Sequence, residues 1–193
     1  MDARRRDEKG RRGRTGRFPM DPYPAGCWWA VGFSEQLRAG DVVPLRYFGA
    51  DFVLFRAKSG TVHVLDAACA HLGAHLGYGG RVSGENLQCP FHAWRYDGCG
   101  TCVATSTGEA VPEAARQALR SWPVEEQAGL ILMHWDPDGG AEPAWRVPHL
   151  IPFGSPEWTP PTWKTYELES HPQELMENAV DLHHFKHLHG WPY

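Results

Sequence analysis

Two short stretches, Cys69-Ala70-His71 and Cys89-Pro90-Phe91-His92, carry one thiol and one imidazole each, with seventeen residues between them. A chain that uses both must fold so that two loop tips meet, and this constrains its topology more than any other feature. Glycines crowd the loops, with Gly73, Gly77, Gly79 and Gly80 after the first and Gly98 and Gly100 after the second, which suits a metal or cluster gripped between turns. Two thiolates and two neutral imidazoles close a tetrahedral zinc site, or hold a [2Fe-2S] cluster with both cysteines on one iron and both histidines on the other. Zinc sites usually pair like ligands, C-x2-4-C with H-x3-5-H, whereas each motif here is mixed. The remaining alternative is two buried cysteines and two satisfied core histidines.

The loops need a scaffold, and composition suggests its kind. Nine tryptophans, sixteen prolines and twenty-one glycines favour loop-rich β structure over a helical bundle. No run of eighteen apolar residues occurs, and the most apolar short piece, residues 129–133, is strand-sized, so no transmembrane segment is expected. Five cysteines, two of them claimed as ligands, do not make a secreted disulfide framework. A reducing, cytoplasmic setting follows.

Charge is uneven. Residues 1–17 hold eight of the nineteen basic residues and three of the twenty-three acidic ones. An Arg-rich opening can bind nucleic acid or serve as a twin-arginine export signal. No apolar h-region follows and nothing in 1–16 can build a core. The expectation is a disordered basic tail over 1–19 with no nucleic-acid partner. The abrupt change of composition before Met20 also suggests Met20 as the natural start.

Strands are expected over 28–33, 45–48, 52–55 and 62–65, with turns at Gly49-Ala50-Asp51 and Lys58-Ser59-Gly60. Further strands are expected over 87–88, 94–96, 122–124 and 130–134, so that facing hairpins give the two loops a floor and leave the histidines near solvent. Cys27, without a partner at metal spacing, is expected to be a buried small residue. Cys99-Gly100-Thr101-Cys102 is expected to be a turn with two incidental thiols, having neither a second C-x2-C nor a βαβ context. Six prolines between 141 and 162 mark a linker. A strand over 163–169 and a helix over 171–189 follow, with Pro172 in its first turn and Gly190 and Pro192 beyond its end.

That helix carries five histidines. Regular geometry picks His183 and His187, four apart on one face, as a metal pair. His184 and His189 stand about 140° apart on an ideal helix, and converge only where the helix is distorted or ends.

The mixed Cys/His motifs together with Asn178-x2-Asp181-x2-His184-x4-His189 resemble the signatures of the Rieske non-haem iron oxygenases. Gly79-Gly80-Arg81-Val82, Cys89-Pro90-Phe91-His92-Ala93-Trp94 and Trp122-Pro123-Val124 look most like the steroid-acting branch, with its 3-ketosteroid 9α-hydroxylases and cholesterol 7-desaturases. The resemblance runs from about Cys27 to the end. Leu72 stands where many relatives have arginine, and Ala93 where many have glycine.

The resemblance implies a mainly β fold: a Rieske [2Fe-2S] domain of antiparallel sheets over 20–142, a Pro-rich linker over 143–162, and the beginning of an α+β, helix-grip-like catalytic domain over 163–193. It implies Cys69, His71, Cys89 and His92 as cluster ligands and His184 and His189 as ligands of a mononuclear Fe(II). Asp181, with Asn178 beside it in the signature, becomes the bridge that passes electrons between subunits of a homotrimer. It further implies a ferredoxin or flavin reductase that delivers electrons from NAD(P)H, dioxygen as co-substrate, and a hydrophobic, steroid-like substrate that is hydroxylated or desaturated. No carboxylate of the chain matches the family's third iron ligand, so an N-terminal fragment or a truncated gene product is expected, one that holds the cluster but binds mononuclear iron weakly and does not oxygenate on its own. A stand-alone Rieske electron carrier and a zinc-stabilised binding module are the alternatives.

Overall fold

Phe52, Val53, Leu54 and Phe55 are consecutive, and all four are buried in the computed structural model. Alternate side chains of a strand point to opposite faces. Phe52 and Leu54 therefore enter one hydrophobic core with Val31, Val64, Trp122, Ile131 and Met133, while Val53 and Phe55 enter another with Leu65, Leu76, Leu87 and Tyr96. A sheet with a core on each side is a middle layer, and the rest of the β unit is arranged around it.

Residues 23–108, 110, 111, 113, 116, 119–138, 142–149, 155–159 and 162–191 are described by the structure. The basic tail lies outside them. The middle sheet has the order β2 (Val42–Tyr47), β3 (Ala50–Arg56), β4 (Val62–Asp66), then β9 (Ser121–Trp122), all antiparallel. On one side lies the sheet of β1 (Cys27–Phe33), β11 (Leu130–Trp135) and β10 (Val124–Gln127). On the other lies β5 (Arg81–Ser83), β6 (Asn86–Gln88), β7 (Arg95–Tyr96) and β8 (Cys102–Ala104). The expected mainly β, antiparallel fold is the observed one.

Some local expectations are corrected. The turn after β2 is not Gly49-Ala50-Asp51 but the two residues Phe48-Gly49, because Tyr47 pairs with Ala50. Both turn residues have positive φ, 53° and 76°, matching the twist of a two-residue hairpin. Cys27 is half-buried, not buried. Residues 162–168 form no strand, and the helix expected over 171–189 is two helices, α1 (Pro172–Val180) and α2 (Leu182–His189). Asp181 makes the break. Its N–H still donates to Glu177 O at 3.2 Å, but its carboxylate accepts the His183 N–H at 3.1 Å as the cap of the next helix.

The described residues between Ala25 and Pro160 form one compact unit, and the described residues outside that range belong to a second. In the first, the stretch around Trp145 is tied down: its indole donates to Gly26 O at 3.1 Å, and the Trp28 indole donates to Trp145 O at 3.0 Å. No described helix is long and apolar enough to cross a membrane.

A single cation fastens the end of β3. Arg56 donates to the carbonyls of Leu37 and Gly60 at 2.7 and 2.8 Å and grips Glu126 with two bonds of 2.6 and 2.9 Å. That grip holds the Glu126 carboxyl below the usual carboxylate range. A lowered folded value means the stabilisation is complete above the unfolded value of about 4.3, and is lost as pH falls through the folded value. Glu126→Gln is expected to cost roughly 2 kcal/mol at pH 7 and to flatten the acid limb of stability against pH, measured by urea unfolding between pH 3 and 7.

Candidate metal centres

The two Cys/His loops share one backbone frame. In the loop between β4 and β5, Cys69 N–H donates to Ala74 O at 2.9 Å and Gly73 N–H to Cys69 O at 2.7 Å. In the loop between β6 and β7, Cys89 N–H donates to Trp94 O at 2.8 Å and Ala93 N–H to Cys89 O at 3.2 Å. In each, the fourth residue after the cysteine is left-handed: Gly73 at φ 72° and Ala93 at φ 56°. Glycine adopts that conformation freely, whereas alanine holds it against a cost of about 1–2 kcal/mol. The equivalent positions therefore perform the same turn despite the Gly/Ala difference.

The thiols point inward. Cys69 and Cys89 are 3% and 2% exposed and belong to one core with Val53, Phe55 and Leu65. Burial pushes the Cys89 thiol up, and N–H groups of Phe91 and His92 pull it back. The imidazoles point the other way. His71 is exposed, His92 half-buried, and their rings lie 4.7 Å apart at 69°. Among the described residues no three His, Cys, Asp or Glu side chains converge on one point as a single ion requires. A dry pair of thiols at one end and a wet pair of imidazoles at the other fits an elongated two-iron cluster better than a tetrahedral ion.

Two residues of this site were not singled out from the sequence, although both leave the second loop in the run Trp94-Arg95-Tyr96. The Tyr96 hydroxyl lies 3.1 Å from Cys69 Sγ. Burial and the neighbouring thiol push the Tyr96 phenol far up, so it keeps its proton. Trp94 lies flat on His71, centroids 4.6 Å apart and planes within 4°. Cys102 is buried in the same core, its thiol pushed up by burial, whereas Cys99 is exposed.

In the second unit, His184 and His189 are brought together, with rings 5.4 Å apart. Helical side chains lean toward the N-terminus, and His189 ends α2, so its ring lies back over the turn that carries His184. Both His184 ring nitrogens are sealed from solvent with no hydrogen-bond partner, and Asp181 Oδ2 stands 3.7 Å from Nδ1. Orphaned buried nitrogens beside a carboxylate fit a cation-binding imidazole. His183 and His187, the regular-helix pair, are exposed, and so is Asn178 on α1. No third donor joins His184 and His189 among the described residues.

Comparison with known proteins gives two matches in succession: residues 27–123 match the Rieske [2Fe-2S] domain, and residues 133–193 match the 3-ketosteroid 9alpha-hydroxylase C-terminal domain. A cholesterol 7-desaturase of Ciona intestinalis is 38% identical over 169 residues, covering 86% of this chain and 35% of that protein. A probable 3-ketosteroid-9-alpha-monooxygenase oxygenase component of Rhodococcus rhodochrous is 37% identical over 177 residues, 90% of this chain and 43% of that one. The chain thus spans less than half the length of these relatives. Among solved structures, the terminal oxygenase of carbazole 1,9a-dioxygenase from Novosphingobium sp. KA1 superposes with a TM-score of 0.55 at 27% identity, over 64% of this chain and 34% of that one. Dicamba monooxygenase does so with 0.55 at 28%, over 68% and 38%.

Proposed function

The chain belongs to the Rieske oxygenase family, and on that premise we propose that it is the electron-receiving part of an oxygenase component that hydroxylates or desaturates a hydrophobic, steroid-like substrate. The observation that carries this is the pair of matched loops, thiols together in the core and imidazoles together at the surface. Cys69, Cys89, His71 and His92 would hold a [2Fe-2S] cluster, and His184 and His189 an Fe(II). When bound, the cluster supplies one-electron transfer and the Fe(II) supplies dioxygen activation.

The chain's own residues prepare these sites. The core around Cys69 and Cys89 excludes water from the thiolate end, while exposed His71 faces a donor such as a ferredoxin or a flavin reductase fed by NAD(P)H. Asp181, fixed as the cap of α2, holds its carboxylate beside His184. In a homotrimer it would link the iron histidine to a neighbouring subunit's cluster histidine. The steroid-like substrate is proposed from the named activities of the relatives. In this reading 20–142 is the Rieske domain, 143–162 the crossing and 163–193 the start of the catalytic domain.

The test is anaerobic reconstitution, with iron and acid-labile sulfide counted and the EPR spectrum recorded after reduction. Two irons and two sulfides with a Rieske-type spectrum uphold the reading. A colourless protein that retains one zinc replaces it with a structural module.

Tyr96 allows a finer expectation. A phenol that keeps its proton donates to a metal-bound Cys69 thiolate and favours the more negative, reduced state. Tyr96→Phe is expected to lower the midpoint potential by about 40–60 mV, from a hydrogen bond of roughly 1–1.5 kcal/mol. Protein-film voltammetry of the reconstituted chain measures it, and an unchanged potential removes the assigned role.

A further inference from the structure

Ligand histidines almost always donate their second ring nitrogen to an outer partner that fixes the ring's orientation. His71 has no hydrogen bond to its ring among the described residues; its ring contacts are Trp94 and His92. The torsion that turns an imidazole about its Cβ–Cγ bond is soft and broad, so contacts to an exposed ring decide how it is turned toward a metal. Here one face is covered. The Trp94 indole lies parallel to it within 4°, while the His92 ring meets it at 69°.

Trp94 is itself well anchored. Its carbonyl accepts the Cys89 N–H at 2.8 Å, and its half-buried side chain packs on the core beneath both cysteines. It belongs to the second loop, while His71 belongs to the first. The contact therefore ties the ligand of one loop to the frame of the other.

Building on the cluster reading above, we propose that Trp94 is a positioning residue for His71, its flat face locking the ring's rotation and holding the two loops in register. The property that matters is planarity, beyond the volume that fills the core. Phenylalanine keeps a flat face in that place. Methionine and leucine fill space without one.

The experiment compares reconstituted Trp94→Phe, Trp94→Met and Trp94→Leu with the parent chain, reading iron and sulfide content, the EPR lineshape after reduction and the half-life of the visible absorbance in air. Folding is checked by circular dichroism. The expected result is a full cluster in all four, a parent-like lineshape for the Phe variant, and a broadened lineshape with a half-life shortened roughly fivefold, the size of one aromatic pair, for Met and Leu. Parent-like lineshapes in the Met and Leu variants overturn the proposal, as does a Phe variant altered as much as they are. If the Met variant does not fold, the Leu variant decides, and the Phe variant decides if neither folds, by its likeness to the parent. Absence of sulfide from the parent chain defeats the cluster reading instead, a result distinct from any of these.

Discussion

Cys89→Ser is expected to leave a folded protein with iron and acid-labile sulfide at background after reconstitution, and Cys69→Ser to do the same. The substitution changes one atom, from a soft sulfur to a hard oxygen that is not ionised near neutral pH, so the loss is one of ligand chemistry. The fold should tolerate it. Cys89 is 2% exposed, but the N–H groups of Phe91 and His92 already point at its sulfur and would satisfy a hydroxyl, limiting the penalty to about 1–2 kcal/mol. The control is internal to the chain. Cys99→Ser and Cys27→Ser change an exposed and a half-buried thiol outside the loop pair, and should retain the full complement of iron and sulfide. If Cys89→Ser kept its sulfide while Cys99→Ser lost it, the ligand assignment would move to the Cys99-x2-Cys102 turn.

That Cys69 and Cys89 would share one core and His71 and His92 lie ring to ring was legible in the sequence from residue type and spacing: few structures other than a metal site need Cys-x-His and Cys-x2-His on two short loops. The strands of the middle sheet were legible as apolar runs, Phe52 to Phe55 above all, and the run is continuous because both faces of β3 are buried. Tyr96 and Trp94 were not singled out, since each acts on the other loop, and an approach between residues twenty or more positions apart follows from sheet register rather than from local pattern. The alternation over 163–169 suggested a strand that is absent among the described residues; a period of two records only which side chains prefer burial, and a strand also needs a partner for its N–H and C=O groups. The helix break at Asp181 escaped for a related reason. The helical pattern runs through Val180-Asp181-Leu182 without interruption, and only the hydrogen bond from His183 N–H to its carboxylate shows that it caps a second helix. That break places Asp181 beside His184, so the missed detail of secondary structure is also the one that bears on function.

Gly100→Ala is expected to be among the most damaging single-methyl additions in the β unit, costing about 3–5 kcal/mol. Two independent penalties meet there. Gly100 has φ 83°, a left-handed conformation that costs an alanine about 1–2 kcal/mol. Its added Cβ would also lie 2.0 Å from Leu119 O, and Leu119 N–H donates to Gly100 O at 3.2 Å, so the obstacle is hydrogen-bonded backbone that cannot swing aside. Gly84→Ala separates the two terms, because Gly84 has φ 63° with nothing within 4 Å of the added methyl, and should cost only the conformational part, about 1 kcal/mol. The damage at Gly100 should also reach the metal site. Leu119 and Cys102 belong to the same core as Cys69 and Cys89, so relief of the overlap displaces the floor on which the thiols rest. Urea unfolding of the two variants measures the first effect, and the sulfide retained after reconstitution measures the second. Equal destabilisation by the two substitutions would show that the Leu119 contact yields, and that the turn region is not the rigid floor the loops require.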